Sequence, residues 1–307
     1  MNTVAVARTE SRRAEYAHSV MHCNLNSADV IRSQQFYADL FAVRDRMRSI
    51  SEDTDGRFMG LSEHTASETV FLYDGRGPRS APALELVQWH DPQLIRRSDL
   101  GADAPGFRVI GYRVNSLASV PGAGGGESVV VRGRARKAIR VTDPDGVIVE
   151  IVEVAAAESD PKTPMLSHTR MVVSDLERSV AWYSTIGFVV RPDDTDVTRS
   201  VPGASLYLPE DPTFSFELEC PVEQVEIEPK VANTQGLYRV AAAVEDVKAA
   251  YTALAKADPA TPEPGFVPMP DVPTGGFTVL FLSDPDGLVV ELVDRPRNTV
   301  RRPLQPL

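Results

Sequence analysis

The sequence predicts an α+β protein assembled from four small strand–helix–sheet modules in two tandem domains. One observation is a long-range repeat. His22-Cys-Asn-Leu-Asn-Ser-Ala-Asp29 followed by Phe36-Tyr37 returns as His168-Thr-Arg-Met-Val-Val-Ser-Asp175 followed by Trp182-Tyr183, with identical spacings. Each copy closes on the same phrase, Asp143-Pro-Asp-Gly146-Val-Ile-Val-Glu150 and Asp284-Pro-Asp-Gly287-Leu-Val-Val-Glu291. A second observation is the order of β-rich and helix-periodic runs, which repeats within each copy. The third is the stretch Ala155 to Pro164, whose small, charged and proline residues mark an exposed joint. The expected organisation is therefore a leader at 1–15, a first domain at 16–154, a linker at 155–164, a second domain at 165–295 and a surface tail at 296–307.

The second domain is the easier to parse. Leu166 to Val173 reads as a strand. Ser174-Asp-Leu-Glu177 has the form of a capping box, Leu176, Val180 and Tyr183 follow at helical spacing, and Gly187 ends the helix. Strand-like runs follow at Phe188 to Arg191, Ala204 to Leu208, Thr213 to Glu219 and Tyr238 to Val244. A helix is predicted over Glu245 to Ala257, with Val247, Ala250, Tyr251 and Leu254 on one stripe. Strands at Thr278 to Leu282 and Leu288 to Leu292 complete the domain. The first domain repeats this order: a strand near His18 to Leu25, a helix at Ala28 to Leu40, strands through Leu84 to Trp89, a strand at Arg108 to Val114, and strands to Val154. Its second helix is cut short by Pro121-Gly-Ala-Gly-Gly-Gly126.

Composition excludes several classes. The net charge is 32 − 43 = −11, which disfavours nucleic acid as a partner. No apolar run reaches the ~18 residues that a spanning helix needs, and no secretory signal is expected at the start. Two cysteines, Cys23 and Cys220, are too few for a disulfide framework, so a reduced, cytoplasmic setting is expected. Arg132-Gly-Arg-Ala-Arg-Lys137 reads as a solvated loop or strand edge, with an anion site as the alternative. No nucleophile constellation or phosphate-cradling glycine loop is present.

The phrases His168…Asp175-Leu176…Trp182-Tyr183…Gly187-Phe188 and Asp-Pro-Asp-Gly…Glu, in this modular order, resemble the vicinal oxygen chelate superfamily. That superfamily includes glyoxalase I, methylmalonyl-CoA epimerase, extradiol dioxygenases, and fosfomycin and bleomycin resistance proteins. The resemblance covers about 270 of the 307 residues. It implies paired βαβββ modules whose sheets curl into cups around a divalent metal (Fe, Zn, Mn, Ni or Co). It also implies ligands on the first and last strands of each module. The first-strand positions are His22, Val109, His168 and Arg239; the last-strand positions are Glu85, Glu150, Glu217 and Glu291. Modules pairing within a domain would give His22/Glu85/Val109/Glu150 and His168/Glu217/Arg239/Glu291. Pairing across domains would give His22/Glu85/Arg239/Glu291 and His168/Glu217/Val109/Glu150.

Every arrangement offers one imidazole and two carboxylates, with Val or Arg at the fourth corner. A guanidinium repels a metal ion and pairs with carboxylates, so the cup holding Val109 and Glu150 is the expected metal site. His22, Glu85, Glu150, His168, Glu217 and Glu291 are the candidate ligands, Glu150 and Glu291 the candidate bases, and Arg239 and Tyr238 the candidate substrate contacts. The activity so implied is metal-dependent glyoxalase-like or epimerase-like chemistry on a small molecule with vicinal oxygens. The alternatives are Fe(II) extradiol ring cleavage and metal-free drug binding. Arg239, Phe281 and the absence of His from Val272 to Gly276 depart from the extradiol pattern. A monomer or homodimer is expected.

Overall fold

A computed structural model describes residues 15–97, 103–121, 126–154, 164–223 and 230–302. The expected leader (but for Glu15), the linker as far as Thr163, the glycine run at 122–125 and the last five residues of the tail lie outside them.

Sixteen strands form among the described residues, four to a module. The first module has β1 (Ser19–Asn26), helix α1 (Val30–Phe41), β2 (Arg44–Thr54), β3 (Thr65–Tyr73) and β4 (Ala83–Asp91). The second has β5 (Gly106–Val114), β6 (Glu127–Val131), β7 (Arg134–Thr142) and β8 (Ile148–Glu153), with a single 3₁₀ turn at Leu117–Ser119 where its helix would stand. The third has β9 (Met165–Val172), α2 (Leu176–Thr185), β10 (Val189–Arg191), β11 (Gly203–Leu208) and β12 (Asp211–Glu219). The fourth has β13 (Gly236–Val244), α3 (Val247–Ala257), β14 (Gly265–Pro268), β15 (Gly276–Ser283) and β16 (Val289–Asp294). Strand β14 has no counterpart in the sequence reading. Pro268 within it and Pro264 before it argue against a central strand, but it lies at a sheet edge, where a missing donor is tolerated.

The modules pair across the two halves of the chain. One eight-stranded sheet runs β14-β15-β16-β13-β1-β4-β3-β2 and joins the outer modules. The other runs β10-β11-β12-β9-β5-β8-β7-β6 and joins the inner ones. The central seams are antiparallel, with His22 opposite Ala241 and His168 opposite Gly111. Each sheet curls, so that one face becomes the wall of a cup. The other faces share one apolar core, in which Phe41 stacks flat on Tyr112 at 3.8 Å.

The repeated phrases tie each half together while its strands divide between the sheets. Tyr37 of α1 donates to Asp143 Oδ2 at 2.9 Å, and Ser33 and the Ala28 amide donate to Asp145. Tyr183 of α2 makes the matching bond to Asp284 at 3.1 Å, and the Ser174 amide donates to Asp286. In both turns the leading Asp also accepts two backbone amides. Much of the repeat therefore serves a helix-to-turn latch. Burial pushes Asp143 and Asp284 up to about 6 against the pull of these donors. The predicted capping box is displaced by one residue: Asp175 caps α2 by accepting from the Arg178 amide, while Ser174 is drawn into the latch.

The first residues of the tail do not lie loose on the surface. Arg302 pairs with Asp211 at 2.9 Å, both side chains fully buried, and Arg297 pairs with Glu210. A guanidinium buried against a carboxylate on the other sheet fixes this segment as a strap.

Candidate functional site

The cup of the outer modules gathers His22 from β1, Glu85 from β4, Arg239 from β13 and Glu291 from β16. Strand alternation turns all four to the concave face. The parallel register sets Asn24 beside Glu85 and Ala241 beside Glu291, and small residues such as Ala241 leave room for the larger side chains.

Arg239 organises this floor. Its Nε donates to Glu291 at 2.8 Å, and its Nη2 donates to both oxygens of Glu85 at 2.8 and 3.0 Å. His22 Nε2 lies 3.3 Å from Glu291 and 3.4 Å from Glu85. Phe281 covers the guanidinium, its ring centre 5.8 Å from Cζ. Burial alone raises the Glu291 carboxyl, but the Arg239 charge and the bonds from His22 and Arg239 outweigh it and hold the group at about 2. Burial likewise works against the Arg239 charge, and Glu85 and Glu291 reverse it, so the guanidinium is held above its ordinary value.

Above the floor is a cavity of about 170 Å³. Its walls are apolar and soft, with Met21, Met47, Met59, Met269, Phe71 and Phe277, and the cations Arg46 and Arg295 also line it. A second space of about 60 Å³ shares Glu85, Arg239 and Met269 with the first. Hydroxyls of Ser49, Ser51, Thr54, Ser67 and Thr69 line it. Tyr238 packs on Val87, Trp89 and Ala232 in an apolar cluster instead of lining the main cavity.

The cup of the inner modules brings His168, Glu150, Glu217 and Val109 to the same relative positions, but it is filled. His168 Nε2 is 3.0 Å from Glu150. Glu150 is also bound by Arg170 at 2.5 Å and Arg140 at 2.8 Å, and these partners outweigh burial and hold it well below the usual carboxylate range. Glu217 turns to Ser205, Ser215 and the Arg132 amide. His168 sits flat over Gly111, where any Cβ would lie 2.1 Å from the ring.

The plug of this cup is the β6–β7 turn at Arg132-Gly133. Arg132 has a left-handed φ of 56° and donates to Ser167 O and Thr213 O. The space left beside Arg113, Arg132 and Arg136 is about 10 Å³, close to the ~10–15 Å³ that one water needs. The basic run at 132–137 is thus a hairpin whose first arginine is buried. The cup favoured for metal on sequence grounds is the closed one, because Arg132, Arg170 and the Val129–Val131–Ala138–Val152 cluster occupy it.

The residues at the open floor do not fit a divalent ion. Tetrahedral donors ~2.1 Å from zinc lie ~3.4 Å apart, and His22 stands at that spacing from both carboxylates. The guanidinium of Arg239, however, already bonds the oxygens a metal would take. Among the described residues no group of three His, Cys, Asp or Glu side chains is placed to hold a metal ion. Basicity is affected as well: a carboxyl held at about 2 is a weak proton acceptor near neutral pH.

Comparison with known proteins places this frame. Residues 165–292 match the model of the Glyoxalase/Bleomycin resistance protein/Dioxygenase superfamily. Glyoxalase I from Zea mays shares the fold at 22% identity, with a TM-score of 0.63 over 90% of this chain and 92% of that one. A point mutant of that enzyme aligns over 95% and 97% at 21% identity and a TM-score of 0.66. A proposed dioxygenase from Bacillus subtilis aligns over 94% and 93% at 13% identity and a TM-score of 0.59. No curated protein sequence matches. Residues 165–292 thus carry the signature of the glyoxalase/bleomycin resistance/dioxygenase superfamily, and the fold of its glyoxalase I members extends over the whole chain as four cup-forming modules. No helix among the described residues is long and apolar enough to cross a membrane.

Proposed function

We propose that this protein is a metal-free binder of small organic molecules, with its ligand site in the cup of the outer modules. The observation that carries the reading is Arg239, whose guanidinium bridges Glu85 and Glu291 where a metal would sit. An internal cation neutralises the carboxylates, so the floor becomes a fixed array of hydrogen-bonding groups. Over it lies an apolar cavity of about 170 Å³, comparable to the ~150 Å³ that accepts benzene in an engineered core. A one- or two-ring molecule suits that volume, and methionine walls adapt to irregular shapes. Metal-dependent glyoxalase-like or epimerase-like chemistry and extradiol cleavage fit less well, because both need the position that Arg239 holds.

Calorimetric titration with 2-naphthamide, a neutral bicyclic probe, tests the reading. Binding at one site per chain is expected, insensitive to chelator and lost on filling the cavity by Met269→Trp. Binding that disappears with chelator, or survives Met269→Trp unchanged, contradicts it.

A further inference from the structure

Resting on the reading of the outer-module cup as the ligand site, we propose that its ligand is an organic acid. A one- or two-ring apolar body would lie among the methionines and phenylalanines, and a single anionic group would be held by Arg46 and Arg295. Both arginines line the cavity, Arg46 exposed and Arg295 half-buried.

The pairing pattern of the other arginines makes these two informative. Arg76, Arg170, Arg239, Arg297 and Arg302 each meet a carboxylate within 3.0 Å. Neither Arg46 nor Arg295 has a carboxylate partner among the described residues. Arg295 Nε is closed off from solvent and donates to no partner. The Arg295 backbone is anchored at both polar atoms: its amide donates to Val244 O and its carbonyl accepts from His18 Nε2 at 2.9 Å. Tyr73 lines the same cavity within electrostatic reach of Arg295 and adds a phenolic donor.

The cavity's own carboxylates, Glu85 and Glu291, are both taken by Arg239. They do not satisfy the two free cations, and they disfavour an acid at the floor. Charge therefore orients the ligand, with its anionic end on Arg46 and Arg295 and any hydroxyl or amide donor toward Glu85, Glu291 and His22. In a chain of net charge −11, two unpaired arginines on one cavity are a local attraction for acids against a general repulsion.

Titration of 2-naphthoate against 2-naphthamide at low salt tests the inference. The acid should bind roughly tenfold or more tightly than the amide, the gain of a charge-assisted over a neutral contact. The double variant Arg46→Gln, Arg295→Gln should abolish that gap, so that acid and amide bind the variant equally. Added salt should weaken the acid only. Equal affinities in the unmodified protein, or a gap that persists in the double variant, overturn the acid assignment and leave the cup as a neutral binding site. If neither probe binds, the cup reading fails and this inference with it.

Discussion

Replacing Arg239 by Gln should convert a metal-indifferent protein into a metal-stabilised one. In the folded chain Arg239 makes three hydrogen bonds of 2.8–3.0 Å to two buried carboxylates. Removing one partner of such a buried pair costs ~3–5 kcal/mol, because the remaining charges stay desolvated. At ~2–4 °C per kcal/mol for domains of 150–250 residues, the midpoint should fall by roughly 10 °C. The same substitution clears the centre of the floor. His22 Nε2 already stands 3.3 and 3.4 Å from the two carboxylates, so once the guanidinium is gone the three side chains need only turn toward one another to share an ion. A metal at about one hundred times its Kd then returns ~2.7 kcal/mol. Urea unfolding with and without Zn²⁺ or Mn²⁺ measures both effects. Metal should stabilise Arg239→Gln and leave the unmodified protein unchanged. Equal stabilisation of both proteins, or a variant as stable as its parent and indifferent to metal, would refute the reasoning.

Three further outcomes follow from the packing. Asp143 is held at about 6 in the folded state, up from 3.8. Folding therefore favours its protonated form relative to the unfolded chain, and that contribution is fully present below pH 3.8 and lost as pH rises through 6. A shift of that size corresponds to ~3 kcal/mol. Relative to Asp143→Asn, the unmodified protein should lose about that much stability between roughly pH 4 and 7; a flat difference across the range would rule out the assignment. Gly111→Ala drives a methyl to 2.1 Å from the His168 ring and should destabilise by ~1–3 kcal/mol or more through overpacking, read by urea unfolding. Arg302→Ala strips the partner from buried Asp211 and should cost ~3–5 kcal/mol; a change under about 1 kcal/mol would mean the tail strap carries little.

Local structure was legible in the sequence because it rests on short-range rules. Apolar spacing placed all three helices, although the starts were set early, at Ala28, Ser174 and Glu245, and the structure puts the caps at Asp29, Asp175 and Asp246; the strand runs at β9, β12 and β13 stand out as β-branched or apolar stretches. The family resemblance pointed to His22, Glu85 and Glu291, and counting back from Val244 pointed to Arg239; the two-residue alternation of side chains then turns all four to one face. The partner of each module was not legible. All four modules carry similar apolar faces, and nothing in a strand's pattern says which half of the chain supplies its neighbour.

The closure of the inner cup was hidden for a related reason. Arg132 is charged and sits in a basic run, and only the path of the β6–β7 turn shows that it points inward. The cavity walls were equally invisible: Met21, Met47, Met59 and Met269 come from separate segments and make no local pattern. The doubled Asp-Pro-Asp-Gly phrase suggested a repeated functional site, yet its aspartates are occupied by Tyr37, Tyr183 and turn amides.

In the outer cup the Arg239 side chain stands where the family resemblance places a metal. Elemental analysis of protein purified without chelator, at known chain concentration, is the most direct measurement. Far less than one divalent ion per chain is expected, with 2-naphthamide binding unchanged after exhaustive EDTA treatment. One tightly held ion per chain, lost together with the probe on chelation, would contradict it.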